Sequence, residues 1–86
     1  MNISVEFTLL PLQNDFEPPI QDFIKVLRGS KFTVLENPLS TQIYGAYDEL
    51  MPFLNDAIKT SFESIENVVL NMKIVKSDRS DYEPNF

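Results

Sequence analysis

The chain has 86 residues, contains no cysteine and no histidine, and carries a formal net charge of −6 at pH 7. Its length fits a single domain, and the missing residue types exclude disulfides and the best zinc ligands. The negative charge argues against binding to nucleic acid, because phosphate backbones are held mainly by Lys and Arg. This acidic balance suits a neutral or cationic ligand better.

The size of the chain also bears on its assembly and location. A domain of this length buries only about 60% of the surface that its unfolded chain exposes, so without disulfides or zinc we expect a homo-oligomer, a dimer or a tetramer. Glu6 interrupts the first apolar run, and no basic region precedes it, so no export signal is predicted. No apolar stretch approaches the ~18 residues of a membrane span. We expect a cytoplasmic protein that does not contact a membrane.

The first two predicted elements differ in their hydrophobic period. Apolar and polar residues alternate from Ile3 to Leu9, which predicts a strand that Pro11 ends. Pro18-Pro19 fits the first turn of a helix. The helix is indicated by apolar residues at the spacing i, i+3, i+4 and i+7, namely Ile20, Phe23, Ile24 and Leu27. Gly29 is expected to end this helix in a left-handed C-cap.

Four further elements follow the first helix. Phe32–Leu35 and Thr41–Tyr47 are predicted to form a hairpin, and Asn67–Val75 is predicted to form the last strand. Between them a helix is predicted from about Asp48 to Phe62, with Asp48 as its N-cap. Gly45 lies inside a predicted strand, which suggests a bulge or a close approach by another group.

The element order predicts an α+β fold. The pattern β-α-β-β-α-β is the ferredoxin-like arrangement, in which two helices cover one face of a four-stranded antiparallel sheet. We assign residues 1–76 to this domain and residues 77–86 to a polar, loosely attached C-terminal tail. The other sheet face mixes polar and apolar residues, so it is either solvated or packed against a partner subunit.

The residue types do not favour catalysis or a metal site. Ser40 and Thr41 supply hydroxyls, but no histidine is present to activate them. Asp48-Glu49 is explained by helix capping, and the acidic residues of the tail lack the ligand order of a calcium loop. An acylphosphatase-like enzyme would need an arginine in the loop after the first strand, and residues 12–15 contain none. We therefore expect no enzyme activity and no metal.

A small-molecule site is the more specific alternative. A flat heteroaromatic ligand needs an apolar or aromatic slot and a few fixed polar groups. Phe7 or Tyr44, beside Ser40, Thr41 and Asn71, could supply these groups. The alternative is that the aromatic side chains belong to the core and that the hydroxyls bond to nearby backbone.

Two strings resemble a known family. Ile3–Leu12, followed by Asn14-Asp15, is similar to the opening of the small thiamine-binding proteins of the YkoF type, and Pro38–Gly45 is similar to their second signature. The resemblance implies a ferredoxin-like fold, association through the sheets, and non-catalytic binding of thiamine or hydroxymethylpyrimidine. It also implies that Ser40 and Thr41 contact the pyrimidine and that Phe7 and Leu9 form part of the wall.

The distribution of charge restricts the class of ligand that we expect. Thiamine carries a positive thiazolium ring, which an acidic protein attracts modestly, whereas no Lys/Arg cluster or glycine-rich loop is present to hold a pyrophosphate. The expected ligand is therefore free thiamine or its pyrimidine half, with no cofactor beyond it. Two other interpretations stay open: an oligomeric assembly module with no small ligand, and a regulatory domain that senses another metabolite.

Overall fold

The computed structural model describes residues 1–85, and Phe86, the last residue of the predicted tail, lies outside them. Six elements follow the predicted order, which confirms the ferredoxin-like α+β fold. Each boundary lies within about two residues of its predicted position, as is usual for helix ends. The elements are β1 Asn2–Pro11, α1 Glu17–Arg28, β2 Thr33–Glu36, β3 Thr41–Ala46, α2 Tyr47–Ser64 and β4 Val68–Val75.

The sheet is antiparallel, with the strand order β2-β3-β1-β4. Residues 2–7 of β1 pair with residues 41–46 of β3, whereas residues 4–11 pair with residues 68–75 of β4. Both registers run without a break, so no bulge interrupts either ladder. From Thr8 onward β1 is paired on one side only, and this mismatch of strand lengths positions the site described below.

Strict alternation along β1 separates the two faces of the sheet. Its odd-numbered residues from Ile3 to Leu9 are buried under the helices, while Glu6 and Leu10 lie on the outer face. Burying each large apolar side chain stabilises the fold by about 1.5–3 kcal/mol. The buried core consists of Ile3, Val5, Phe7, Leu9, Phe23, Leu27, Ile43, Leu50, Leu54, Ala57 and Ile65.

Helix α1 has the predicted start and the predicted C-cap residue, but the cap has a different backbone conformation. Pro18-Pro19 lies in the first turn, as expected. Gly29 is the C-cap, but its φ of −77° and ψ of −3° are right-handed, so the predicted left-handed cap is wrong. The N–H of Gly29 still donates to the carbonyl oxygen of Lys25, at 3.0 Å, and this bond continues the helical pattern by one more residue.

Helix α2 begins one residue earlier than predicted. Ala46 is its N-cap, without a side-chain hydrogen bond, so the prediction of Asp48 as N-cap is wrong. The first turn is held instead by the N–H of Tyr47, which donates to the carbonyl oxygen of Met1 at 2.9 Å. Asp48 lies within the first turn, where the helix dipole favours an acidic side chain.

The residues after β4 are attached to the outer face of the sheet. The hydroxyl of Ser4 donates to the carbonyl oxygen of Ser77 at 2.7 Å and accepts from the N–H of Arg79 at 2.9 Å. Asp78 Oδ1 accepts from the N–H of Ser80 at 2.9 Å and closes a local turn. The start of the segment is therefore not loose, contrary to expectation, while the domain boundary at residue 76 stays a prediction.

Candidate functional site

A cavity of about 260 Å³ opens where β1 runs past the end of β3. Residues 7–10 of β1 form one wall, and residues 37–41, at the turn between β2 and β3, form the opposite wall. Ile20, Phe23 and Ile24 of α1 close the cavity from the helix side. Most of these side chains are apolar, because they continue the core into a space that the shorter strand β3 leaves open.

Two aromatic rings make part of this wall rigid. Phe7 and Phe23 meet edge to face, with ring centroids 5.7 Å apart and planes at 89°. This geometry brings the positive edge of one ring onto the negative face of the other. Both side chains are buried in the core. A rigid apolar wall of this kind suits the face of a flat ligand ring.

The turn opposite β1 is fixed by one asparagine. Asn37 Oδ1 accepts from the N–H groups of Leu39 and Ser40, at 2.8 and 3.0 Å, and the N–H of Asn37 donates to the carbonyl oxygen of Ser40 at 3.1 Å. These bonds hold Pro38 and Leu39 in a tight turn. The side chain of Leu39 is 85% exposed and stands at the mouth of the cavity.

The hydroxyl of Ser40 belongs to a polar network on the outer face. It donates to Glu6 Oε2 at 3.0 Å and accepts from Gln42 Nε2 at 2.7 Å. Lys73 Nζ lies 3.4 Å from Glu6 Oε1 and pairs with the same carboxylate. Because a carboxylate can only accept, the proton of Ser40 is committed to Glu6. The Ser40 oxygen can therefore act toward a ligand only as an acceptor.

Thr41 faces the opposite side of the same strand. Its side chain is directed to the helix side, where it is paired with Phe7, and it is buried. None of the side-chain hydrogen bonds found in residues 1–85 involves its hydroxyl, and no side-chain oxygen in that range is fully buried without a partner. The Thr41 hydroxyl is thus an accessible, unused donor and acceptor at the cavity wall.

Four of the six predicted ligand-binding residues line this cavity, and two do not. Tyr44 lies on the outer face of the sheet, paired with Ser4, where burial and the charges of Asp78 and Glu6 raise the pKa of its phenol. Asn71 is exposed on β4 and paired with Thr8, outside the cavity. The residues brought together are Phe7, Leu9, Ser40 and Thr41.

Several lining residues were not predicted as part of a site. Ile20, Phe23 and Ile24 form the apolar stripe of α1, and a stripe of this kind is also what a purely structural helix would show. Pro38 and Leu39 belong to the string that carries the family resemblance, and that string was the available signal for this wall.

The rest of the described chain shows no metal-binding cluster. Among residues 1–85 no three or more Asp or Glu side chains come close enough together to hold a metal ion. In the same range no helix is both long and apolar enough to cross a membrane. The lining of the cavity itself offers hydrogen bonding beside a rigid apolar wall.

The fold and the cavity define a small ferredoxin-like domain with an apolar ligand-sized opening at one end of its sheet. This cavity, lined by residues 7–10 of β1, residues 37–41 and three residues of α1, is called the slot below. The family model described as "Thiamine-binding protein" matches residues 5–85. The chain therefore belongs to the thiamine-binding protein family, which confirms the resemblance found in the sequence. A search of the curated proteins gives no match.

Solved structures have the same fold. A protein from Streptococcus pneumoniae is 29% identical, with a TM-score of 0.83, and the match covers 94% of this chain and 92% of that one. A candidate thiamine biosynthesis/salvage protein from Thermotoga maritima is 16% identical, with a TM-score of 0.80 and coverage of 90% and 85%. A hypothetical protein from Methanocaldococcus jannascii is 23% identical, with a TM-score of 0.74 and coverage of 95% and 84%. The last two show the fold alone.

Proposed function

We propose that this chain binds free thiamine or its hydroxymethylpyrimidine half and catalyses no reaction on it. The observation that carries the proposal is the slot itself, in which the Phe7–Phe23 pair faces a turn that carries Ser40 and the unused hydroxyl of Thr41. A rigid apolar wall with few fixed polar groups is the usual form of a small-molecule site. Membership of the thiamine-binding family supports thiamine as the source of the ring.

The size and charge of the slot favour the pyrimidine as the part that enters it. Its volume of about 260 Å³ lies below the ~300–1,000 Å³ of sites for drug-sized ligands, and this suits one substituted ring. The thiazolium ring would then lie at the mouth, near Leu39. Among residues 1–85, no Lys or Arg lines the slot, so a pyrophosphate group would find no cationic partner there.

Calorimetric titration with thiamine, hydroxymethylpyrimidine and thiamine pyrophosphate tests the proposal. We expect saturable binding of the first two and weaker binding of the pyrophosphate. Ser40→Ala and Thr41→Ala should each weaken binding by about 1 kcal/mol or more, the scale of a lost hydrogen bond. Thr33→Ala, on the exposed side of β2, is the matched control and should leave affinity unchanged.

Two results would contradict this reading. Binding of the pyrophosphate as tight as that of thiamine would overturn the proposed preference for the unphosphorylated ligand. No heat with any of the three compounds, from a folded protein, would remove thiamine as the ligand and favour an assembly module.

We also propose that the protein forms a homo-oligomer through the outer face of its sheet. Leu10 and Val69 are paired across β1 and β4 on this face, and each is 43% exposed. Leu35, on β2, adds a third exposed apolar side chain to the same face. Covering these side chains with a second copy would remove apolar surface from water, which is favourable by about 25 cal/mol per Å².

Light scattering after size exclusion tests the assembly. We expect an oligomer for the natural chain and a shift toward monomer for Val69→Lys, because a charge would then be buried in the interface. Val26→Lys places the same change on α1, where Val26 is also exposed, and should leave the mass unchanged. A monomeric natural chain, or a shift with Val26→Lys alone, would show that the outer face is not the interface.

A further inference from the structure

We propose that residues 77–79 form a strap that closes one end of the outer face, so that a second copy of the chain packs only on the half of this face beside the slot. This contact rests on the proposed homo-oligomer, and the strap determines which part of the outer face takes part in it.

The side chains of the outer face form four rows that run across the strands. The registers of the three strand pairs place the members of each row side by side. The slot is lined by residues 7–10 of β1, so the last two rows lie at its end of the sheet. In order along β1, the rows are Thr33, Tyr44, Ser4 and Val75; Leu35, Gln42, Glu6 and Lys73; Thr8 and Asn71; and Leu10 and Val69.

The two ends of this face differ in exposure. Ser4 and Leu10 lie on the same face of the same strand, but Ser4 is 7% exposed and Leu10 is 43% exposed. The cover over Ser4 comes from the chain itself. Its hydroxyl donates to the carbonyl oxygen of Ser77 and accepts from the N–H of Arg79, so the main chain of the strap lies directly on the first row.

The strap extends beyond Ser4 toward β3. Burial raises the pKa of the Tyr44 phenol, and the nearby charge of Asp78 raises it further. The side chain of Arg79 borders a cavity of about 190 Å³ whose lining includes Tyr44 and Gln42. Because this cavity separates part of the strap from the sheet, the two hydrogen bonds to Ser4 hold the strap more than close packing does. One substitution should therefore release it.

A strap in this position keeps a second sheet away from the first row. Facing sheets pack about 10 Å apart, with side chains filling the space between them. Above Ser4 the main chain of the strap already occupies that space. The exposed apolar side chains of the outer face, Leu35, Leu10 and Val69, all lie in the other rows. A second copy therefore makes its contacts on the half beside the slot.

Single-cysteine variants test which half is covered, because the natural chain contains no cysteine. Asn71→Cys places a thiol in the open half and Thr33→Cys places one in the first row, and both positions are exposed in one copy. Thiol labelling is compared between dilute protein and protein concentrated enough to associate. We expect association to slow labelling at Asn71→Cys by at least about tenfold and at Thr33→Cys by less than about twofold.

Ser4→Ala releases the strap without changing a residue within it. Loss of both hydrogen bonds should speed trypsin cleavage after Arg79 by about tenfold, while cleavage after Lys25, in α1, should not change and so excludes global unfolding. In the associated protein, the uncovered first row should then protect the Thr33→Cys thiol. Ser30→Ala is the matched control, because the Ser30 hydroxyl also donates to a carbonyl oxygen and accepts from an N–H. It should leave cleavage after Arg79 unchanged.

The outcomes separate the role of the strap from the proposed oligomer. Equal protection of the two thiols, or unchanged cleavage after Arg79 in Ser4→Ala, overturns the role of the strap and leaves the oligomer standing. If the natural chain is monomeric, the proposed oligomer fails. Association of Ser4→Ala then supports the strap as the cause, and a monomeric Ser4→Ala variant overturns the inference.

Discussion

Replacement of Phe7 by alanine is expected to lower the free energy of unfolding by about 3–5 kcal/mol. The ring is 2% exposed and meets Phe23 edge to face in the core. Its removal loses the burial of the ring, leaves a cavity that the rigid sheet cannot fill, and loses the aromatic contact. Domains are stable by only about 5–15 kcal/mol, so the loss is a large share of the total.

Urea unfolding followed by circular dichroism measures this effect. Phe62→Ala is the matched control, because Phe62 is exposed on α2, and we expect a change of no more than about 0.5 kcal/mol. Phe7→Leu should retain most of the stability yet weaken thiamine binding, because it keeps apolar volume but loses the flat ring. Equal effects of Phe7→Ala and Phe62→Ala would show that Phe7 is not part of the core.

The elements with a clear hydrophobic period were predictable from the sequence. The alternation in β1 and the stripe of α1 each place apolar residues on one face. Burial of that face determines whether the segment forms a strand or a helix. The error at Asp48 has a different origin. The start of α2 is held by the carbonyl of Met1, a residue far away in sequence, so local cap preferences do not decide it.

The candidate site was predictable only in part, because it arises from pairing between distant strands. β1 extends beyond β3, and the resulting gap depends on two registers that no local pattern reveals. Alternation does explain the residues that lie elsewhere. Odd-numbered residues of β3 face the helices, so Thr41 reaches the slot side while Tyr44 is directed to the outer face.

The structure distinguishes between the two explanations that the sequence offers for Gly45 inside a strand. These are a β-bulge and the close approach of another group to the backbone. The unbroken register excludes the bulge. A Cβ added at Gly45 would lie 2.6 Å from Cδ1 of the Phe32 ring and 3.6 Å from Cβ of Leu50. The ring cannot move freely, because it packs against Phe53 with centroids 5.5 Å apart. The close approach is therefore the reason for the glycine.

Gly45→Ala is expected to lower the free energy of unfolding by about 1–3 kcal/mol, the usual cost of overpacking. Gly29→Ala makes the same change where φ is −77° and the new Cβ would lie 3.4 Å from the Lys25 carbonyl oxygen. There we expect a gain of about 0.4–1 kcal/mol, because the unfolded chain loses freedom. Chemical denaturation of both variants should therefore give shifts of opposite sign.

The cause of the Gly45 effect can be isolated with a second substitution. Phe32→Ala removes the ring atoms that a new Cβ would meet, so Gly45→Ala should cost less in a Phe32→Ala background than in the natural chain. The difference is the coupling energy of a double-mutant cycle, which for residues in contact is about 0.5–3 kcal/mol. An unchanged cost in both backgrounds would assign the effect to the strand backbone and not to the Phe32 ring.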